Sequence, residues 1–114
     1  MSDALNAAPF AVTQDGDWLR GPWRAPVNIA AHAKGTIHDD DTAQALGLRG
    51  GTVAGSIHLQ QCAPMGRAVF GDAWDQQGSV SLYFRHATRG GEPVRVSLRP
   101  GRPGHAEMVL HTPE

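Results

Sequence analysis

Cysteine is nearly absent from this chain: Cys62 stands alone among 114 residues. An internal disulfide framework and a thiolate metal centre are thereby excluded. Charge of one sign is also scarce. Ten basic and eleven acidic residues leave a net charge of −1, so there is no field to recruit nucleic acid or an anionic membrane surface. No apolar run approaches membrane-spanning length. The opening residues Met1 to Pro9 have neither a basic segment nor an apolar core of the secretory kind, and a cytoplasmic location is the expectation. Repeats and low-complexity tracts are missing as well. Aromatic residues make up only 6% of the chain, which makes Trp18 and Trp23 candidate core anchors.

What is present is an ordinary folding composition, 40% hydrophobic and 18% charged. That is too apolar for intrinsic disorder and enough for one modest core. A frayed stretch over residues 1–8 and a single domain over 9–114 are expected. Residues 76–114 carry five arginines (Arg85, Arg89, Arg95, Arg99 and Arg102) against three acids. These read first as a solvated face, with one or two able to meet a phosphate.

Along the chain, Phe10 and Val12 lead into Gln14-Asp15-Gly16-Asp17, a hairpin signal because glycine takes the positive φ of a tight turn. Trp18 and Leu19 begin a returning strand that Gly21-Pro22 and Ala25-Pro26 cut short, and Val27 and Ile29 then alternate briefly. Asp39 to Leu46 is a two-turn helix with acids crowded at the end its dipole favours, and Gly47 stops it. A longer helix runs from about Ala54 to Phe70. Leu59, Cys62, Ala63, Gly66 and Val69 form its stripe, and Ile57, Met65, Ala68 and Phe70 widen it until the helix asks to be surrounded. Pro64 is expected to kink or divide it. Val80, Leu82 and Phe84 then alternate with polar neighbours, as do Val94, Val96 and Leu98, and Ala106, Met108 and Leu110. Three strands joined by Gly/Pro turns predict an antiparallel meander. Hairpin, helices and meander together make an α+β fold with a long helix against a curved antiparallel sheet.

The stretch Gly35 to Leu59, GTIHDDDTAQALGLRGGTVAGSIHL, concentrates the chemistry. It places an imidazole, His38, one short helix away from a helix start free of side-chain bulk. Such a start offers backbone N–H groups to a carbonyl oxygen or a phosphate. A proton-transfer group and an oxyanion site are the two requirements of acyl chemistry.

These residues resemble the hot-dog fold in its MaoC-like acyl dehydratase and hydratase branch. IHDDDTAQALGLRGGTVAG is similar to that family's His-bearing segment and the Gly-rich start of its central helix. SVSLYFRHATRGGEPVRVSLRP is similar to the strand pair that follows. The resemblance implies an acyl thioester of CoA or of an acyl carrier protein as substrate, no cofactor, and a homodimer whose two sheets join. It implies that His38 falls on the motif histidine and Ile37 on the apolar position before it. Thr36, Gly35 and Ala33 fall on the motif's Pro, Asn and Asp. Gly55 keeps the glycine at the helix entrance, where Ala54 replaces a histidine. In the family the Asp and the His share proton abstraction and water activation. Ala33 can do neither, so Asp39, Asp40 or a group of a partner subunit would have to assist His38. Acids at a helix start act more often as caps and dipole partners. The resemblance further implies an oxyanion and substrate site built from Gly55, Ser56, Gly51 and His58. The family's sheet has at least five strands, so either the N-terminal hairpin adds to the sheet or a final strand is missing.

Other signals point less far. His32, His38 and His58 lack helix-face spacing and a carboxylate partner, so no metal site is expected. Cys62 reads as core, because nothing nearby would lower its pKa. Ser56 lacks a nucleophile-elbow turn and Gly50-Gly51 lacks the lysine of a phosphate loop. Thioester hydrolysis would call for a carboxylate on or near the long helix, and Gly55 to Phe70 contains none. A non-catalytic acyl-binding or dimerisation module is the alternative reading, and Ala33 is its support.

Overall fold

In a computed structural model the described residues are 6–26, 34–53, 55–83, 85 and 87–113. Val27, Ile29, His32, Ala33, Ala54, Phe84 and His86 lie outside them, and for Gly55 and Ser56 only the backbone is described. Strands β1 (Thr13–Asp15), β2 (Trp18–Arg20), β3 (Arg95–Pro100) and β4 (Ala106–His111) form one antiparallel sheet in the order β1-β2-β3-β4. Helices α1 (Asp40–Ala45), α2 (Gly55–Phe70) and α3 (Asp72–Gln77) lie between the two hairpins in sequence.

The first hairpin closes at Gly16, whose φ of 60° only glycine adopts readily. Thr13 faces Arg20 and Asp15 faces Trp18. The hairpin then joins the rest of the sheet, because Leu19 pairs with Leu98 and Arg20 with Ser97. Beyond β2 the pairing continues through Gly21 N–H to the Val96 carbonyl (2.8 Å) and Arg24 N–H to the Val94 carbonyl (2.8 Å). The register slips by one residue between them, where Pro22 has no N–H to give. Asn6, inside the stretch expected to fray, brackets the backbone of Ala25 with two hydrogen bonds of 2.8 Å.

The core lies where α2 crosses β3. Cys62, Met65, Val96 and Leu98 are buried there, with Leu19, Met108 and Leu110 packed around them. The buried side of α2 is His58, Gln61, Cys62, Met65 and Gly66, spaced at three and four residues so that all lie on one face. The helix is therefore covered on one side and not surrounded, and Leu59 remains 42% exposed. Pro64 does not divide it. The carbonyl that loses its partner is that of Gln60, an exposed residue whose backbone water can reach. Short helix α3 brings Trp74 against Gly66, where a Cβ would sit 2.4 Å from the indole.

Further expectations change. The alternating segment 79–83 forms no strand and is largely exposed, with Tyr83 86% accessible. Of the three-strand meander only the last two strands pair. The tryptophans are not core anchors either. The Arg99 guanidinium lies 4.8 Å over Trp18 and that of Arg95 4.7 Å over Trp23. Between them Ser97 is fully buried beneath Arg20, which donates to its hydroxyl at 3.1 Å, and His111 at 3.4 Å. Arginines expected as a solvated face thus roof the side of the sheet away from α2.

Candidate functional site

Helix α1 is short, and both its ends are tied. At its C-terminus Gly47, with φ 89°, donates to the Gln44 carbonyl (3.1 Å), and Leu48 donates to that of Ala43 (2.9 Å). This is the paired closure that a left-handed glycine permits. At its N-terminus Asp39 is the N-cap residue and is buried. Its carboxylate accepts from the Thr42 hydroxyl (2.8 Å), the Gly35 N–H (3.4 Å) and the Lys34 ammonium (3.5 Å). The Thr42 hydrogen bond, assisted by Gly35 and Lys34 against the opposing effect of burial, holds the Asp39 carboxyl below its ordinary range.

The loop after α1 is held from several sides. Asp40 accepts the Gly51 N–H at 2.6 Å. Thr52 N–H donates to the Ile37 carbonyl (2.8 Å), and Val53 N–H to the Thr88 carbonyl (2.7 Å). Arg49 clamps Glu92 through two hydrogen bonds of 3.0 and 2.7 Å and also reaches the Ala87 carbonyl at 3.0 Å. That clamp, together with the Arg89 N–H, holds the Glu92 carboxyl low. Gly50 lies close against this assembly: a Cβ would sit 2.9 Å from the Arg89 Nε and 3.1 Å from Asp40 Oδ1, so the Arg89 side chain would have to shift to admit one.

His38 belongs to this assembly. Its Nδ1 lies 2.8 Å from the Thr52 carbonyl oxygen. A carbonyl only accepts, so Nδ1 carries the proton and Nε2 is the basic nitrogen of the neutral ring. Thr52 lies just ahead of Gly55, where α2 starts. One short segment therefore orients the imidazole and leads into the first turn of a 16-residue helix, whose leading N–H groups have no acceptor within the helix. One turn further on, His58 Nε2 and the Thr88 hydroxyl are 2.8 Å apart. Burial pushes the His58 imidazole below its ordinary value of 6.5 and the Cys62 thiol up to about 11, so His58 favours its neutral form and Cys62 is no nucleophile.

The structure thus gathers His38, Asp40, Gly51 and the start of α2 around one loop. It commits the carboxylate of Asp39 to Thr42, Gly35 and Lys34 and that of Asp40 to Gly51, whose N–H is thereby taken. His58 lines a groove of ≈ 1140 Å³ alongside Thr88, Leu82 and Val94. Thr52, Thr88 and the Arg49–Glu92 clamp have no local sequence signal. Their roles arise from chain segments brought together by folding. Among the described residues no group of three or more histidines, cysteines or acids is placed to hold a metal ion, and no helix is long and apolar enough to cross a membrane.

Comparison of the chain with protein-family models, curated proteins and solved structures gave no match in any of the three.

Proposed function

We propose that this chain handles acyl thioesters in the manner of the MaoC-like hydratases, with His38 as its proton-transfer group. The first turn of α2, at Gly55 and Ser56, seats the thioester carbonyl. The observation that carries this reading is the 2.8 Å hydrogen bond from His38 to the Thr52 carbonyl. It fixes a basic Nε2 on the same segment that opens α2.

In the dehydrating direction Nε2 takes a proton from the carbon beside the thioester carbonyl. The electron pair forms the enolate, whose charge falls on an oxygen facing backbone N–H groups and the positive end of the helix dipole. As the enolate collapses to the enoyl thioester, the bond from the β-carbon to its hydroxyl breaks. The imidazolium returns its proton to the departing oxygen, and water leaves. Hydration runs the same steps in reverse. One group serves both halves of the cycle, so turnover is slow compared with a paired acid and base. The proposal includes a hot-dog arrangement of sheet and α2 and a homodimer in the cytoplasm. Edge strand β4 supports the dimer, because an uncovered edge favours pairing with another chain.

A second reading is favoured by a specific observation. The carboxylates of Asp39 and Asp40 are engaged by Thr42, Gly35 and Gly51, which suits a module that binds the thioester without turning it over. Loss of the enoyl absorbance of crotonyl-CoA, followed for the wild type and His38→Ala, separates the two when joined to calorimetric binding of butyryl-CoA. Turnover abolished by His38→Ala is the hydratase result. Butyryl-CoA binding without any turnover is the module result, and absence of both overturns the thioester reading.

A further inference from the structure

Nucleophilic side chains outside the His38 loop differ in what surrounds them. Cys62 is buried, and its thiol is pushed up to about 11. Ser97 lies 3.4 Å from the His111 Nε2, yet it is fully buried and already accepts from Arg20 at 3.1 Å. Thr88 differs on both counts. Its hydroxyl lies 2.8 Å from the His58 Nε2, it is half-buried, and both residues line the ≈ 1140 Å³ groove. A hydroxyl and an imidazole at hydrogen-bond distance, open to a cavity, have the geometry of nucleophile and general base in acyl transfer.

Both partners are held in place. His58 sits one turn into the 16-residue helix α2 and is 4% exposed. Thr88 is pinned through its backbone. Its carbonyl accepts the Val53 N–H at 2.7 Å, the Ala87 carbonyl before it accepts from Arg49 at 3.0 Å, and Arg89 after it bridges to Thr52. A nucleophile on such a backbone needs little reorganisation to react. Burial depresses the His58 pKa, so at neutral pH the ring is unprotonated and can serve as a base. The groove suits an uncharged ligand. Leu82, Val94, Met108 and Leu110 give it an apolar strip, and its acids Glu92 and Glu107 are each paired with an arginine.

We propose that Thr88 and His58 form a second reactive centre, which hydrolyses uncharged carboxylic esters with an apolar acyl chain. With the ring proton on Nδ1, Nε2 takes the Thr88 hydroxyl proton as Oγ1 attacks the ester carbonyl carbon. The carbonyl π electrons move to oxygen. On their return the bond to the alcohol oxygen breaks, and the alcohol leaves with the proton from Nε2. Water, deprotonated by Nε2 in the same way, then attacks the acyl-Thr88 ester. Collapse breaks the bond to Oγ1, which recovers its proton, and the carboxylic acid departs. The centre uses neither His38 nor the helix start at Gly55, so it is independent of the thioester reading. It also needs no carboxylate on α2.

The test uses p-nitrophenyl butyrate as substrate and diethyl p-nitrophenyl phosphate as the trapping ester, with the full chain. Treatment of the wild type with the trapping ester, followed by peptide mass spectrometry, should place a diethylphosphoryl group on Thr88. Release of p-nitrophenol from the butyrate should fall by about a hundredfold or more in Thr88→Val, which keeps the shape of the side chain, and in His58→Gln. Thr88→Ser should retain most of the rate. The adduct is read on the wild-type chain, so that result does not depend on any variant folding. A diethylphosphoryl group on another residue, or none at all, overturns the proposal, as does a rate unchanged in Thr88→Val. A hydrogen bond that serves only to satisfy the buried His58 gives a less stable Thr88→Val, no adduct and no ester turnover in the wild type, and that outcome overturns it too.

Discussion

His38 Nδ1 and the carbonyl oxygen of Thr52 meet at 2.8 Å, joining the loop before α1 to the loop before α2. The bond decides which ring nitrogen is basic, since Nδ1 must donate to a carbonyl. The neutral His38 ring should therefore hold its proton on Nδ1. Ring nitrogen shifts in a 15N-labelled sample measure this directly. A ring protonated on Nε2 instead would break the assignment of Nε2 as the base.

Asp40 is expected to matter for stability and little for chemistry. Asp40→Ala removes the acceptor of the Gly51 N–H and should destabilise the protein by on the order of 1 kcal/mol. Its effect on turnover per folded molecule should be far smaller than that of His38→Ala. Denaturant unfolding read beside the turnover assay checks both halves. An Asp40→Ala loss as deep as that of His38→Ala would return Asp40 to the proton-transfer machinery.

Gly66 is required by the indole of Trp74. A methyl group at position 66 would lie 2.4 to 2.7 Å from ring atoms, so Gly66→Ala should cost about 1–3 kcal/mol through overpacking. Trp74→Ala should relieve much of that cost in the double variant. A thermodynamic cycle over the two substitutions measures the coupling, and additive effects would contradict the close packing.

His58 makes stability depend on pH in a defined direction. Burial depresses its pKa below the ordinary 6.5, so below pH 6.5 the unfolded chain takes up a proton that the folded protein still refuses. Stability from this group is complete above 6.5 and declines as pH falls from there to the folded-state pKa. Denaturant midpoints from pH 7.5 to 5 should show the decline, and His58→Gln should flatten it just below pH 6.5. A wild-type profile no steeper than that of His58→Gln would count against the buried, neutral imidazole.

Much of the fold is legible before any coordinates. Gly16 marks the first turn, the alternation around Val96 and Met108 marks β3 and β4, and Gly47 ends α1 where the glycine rule puts it. The segment 79–83 shows the limit of such patterns. Alternation encodes an apolar face but not a hydrogen-bonding neighbour, and among the described residues no strand lies beside it. The stripe on α2 is offset for a related reason. Hydrophobicity picks out Leu59, yet the side turned to the sheet contains His58 and Gln61, a polar choice that only the tertiary arrangement reveals. Helix α3 carries no apolar periodicity, and its place is set by Trp74 on Gly66.

The site is legible in part. The position of Asp39 and Asp40 at a helix start points to capping, yet the Asp39 carboxylate accepts from Thr42, Gly35 and Lys34 and from no backbone N–H of the first turn, while that of Asp40 anchors the Gly51 N–H. The orientation of His38 is not legible, because it depends on Thr52, and Thr52 is held in turn by Ile37 and by the bridge to Arg89. No local pattern links residues so far apart in the chain.

The most direct test of the account is the hydration rate of crotonyl-CoA by the wild-type protein and by His38→Ala at one pH near 8. The account predicts measurable wild-type turnover and a loss of about a hundredfold or more in the variant. Equal rates in the two proteins would contradict it.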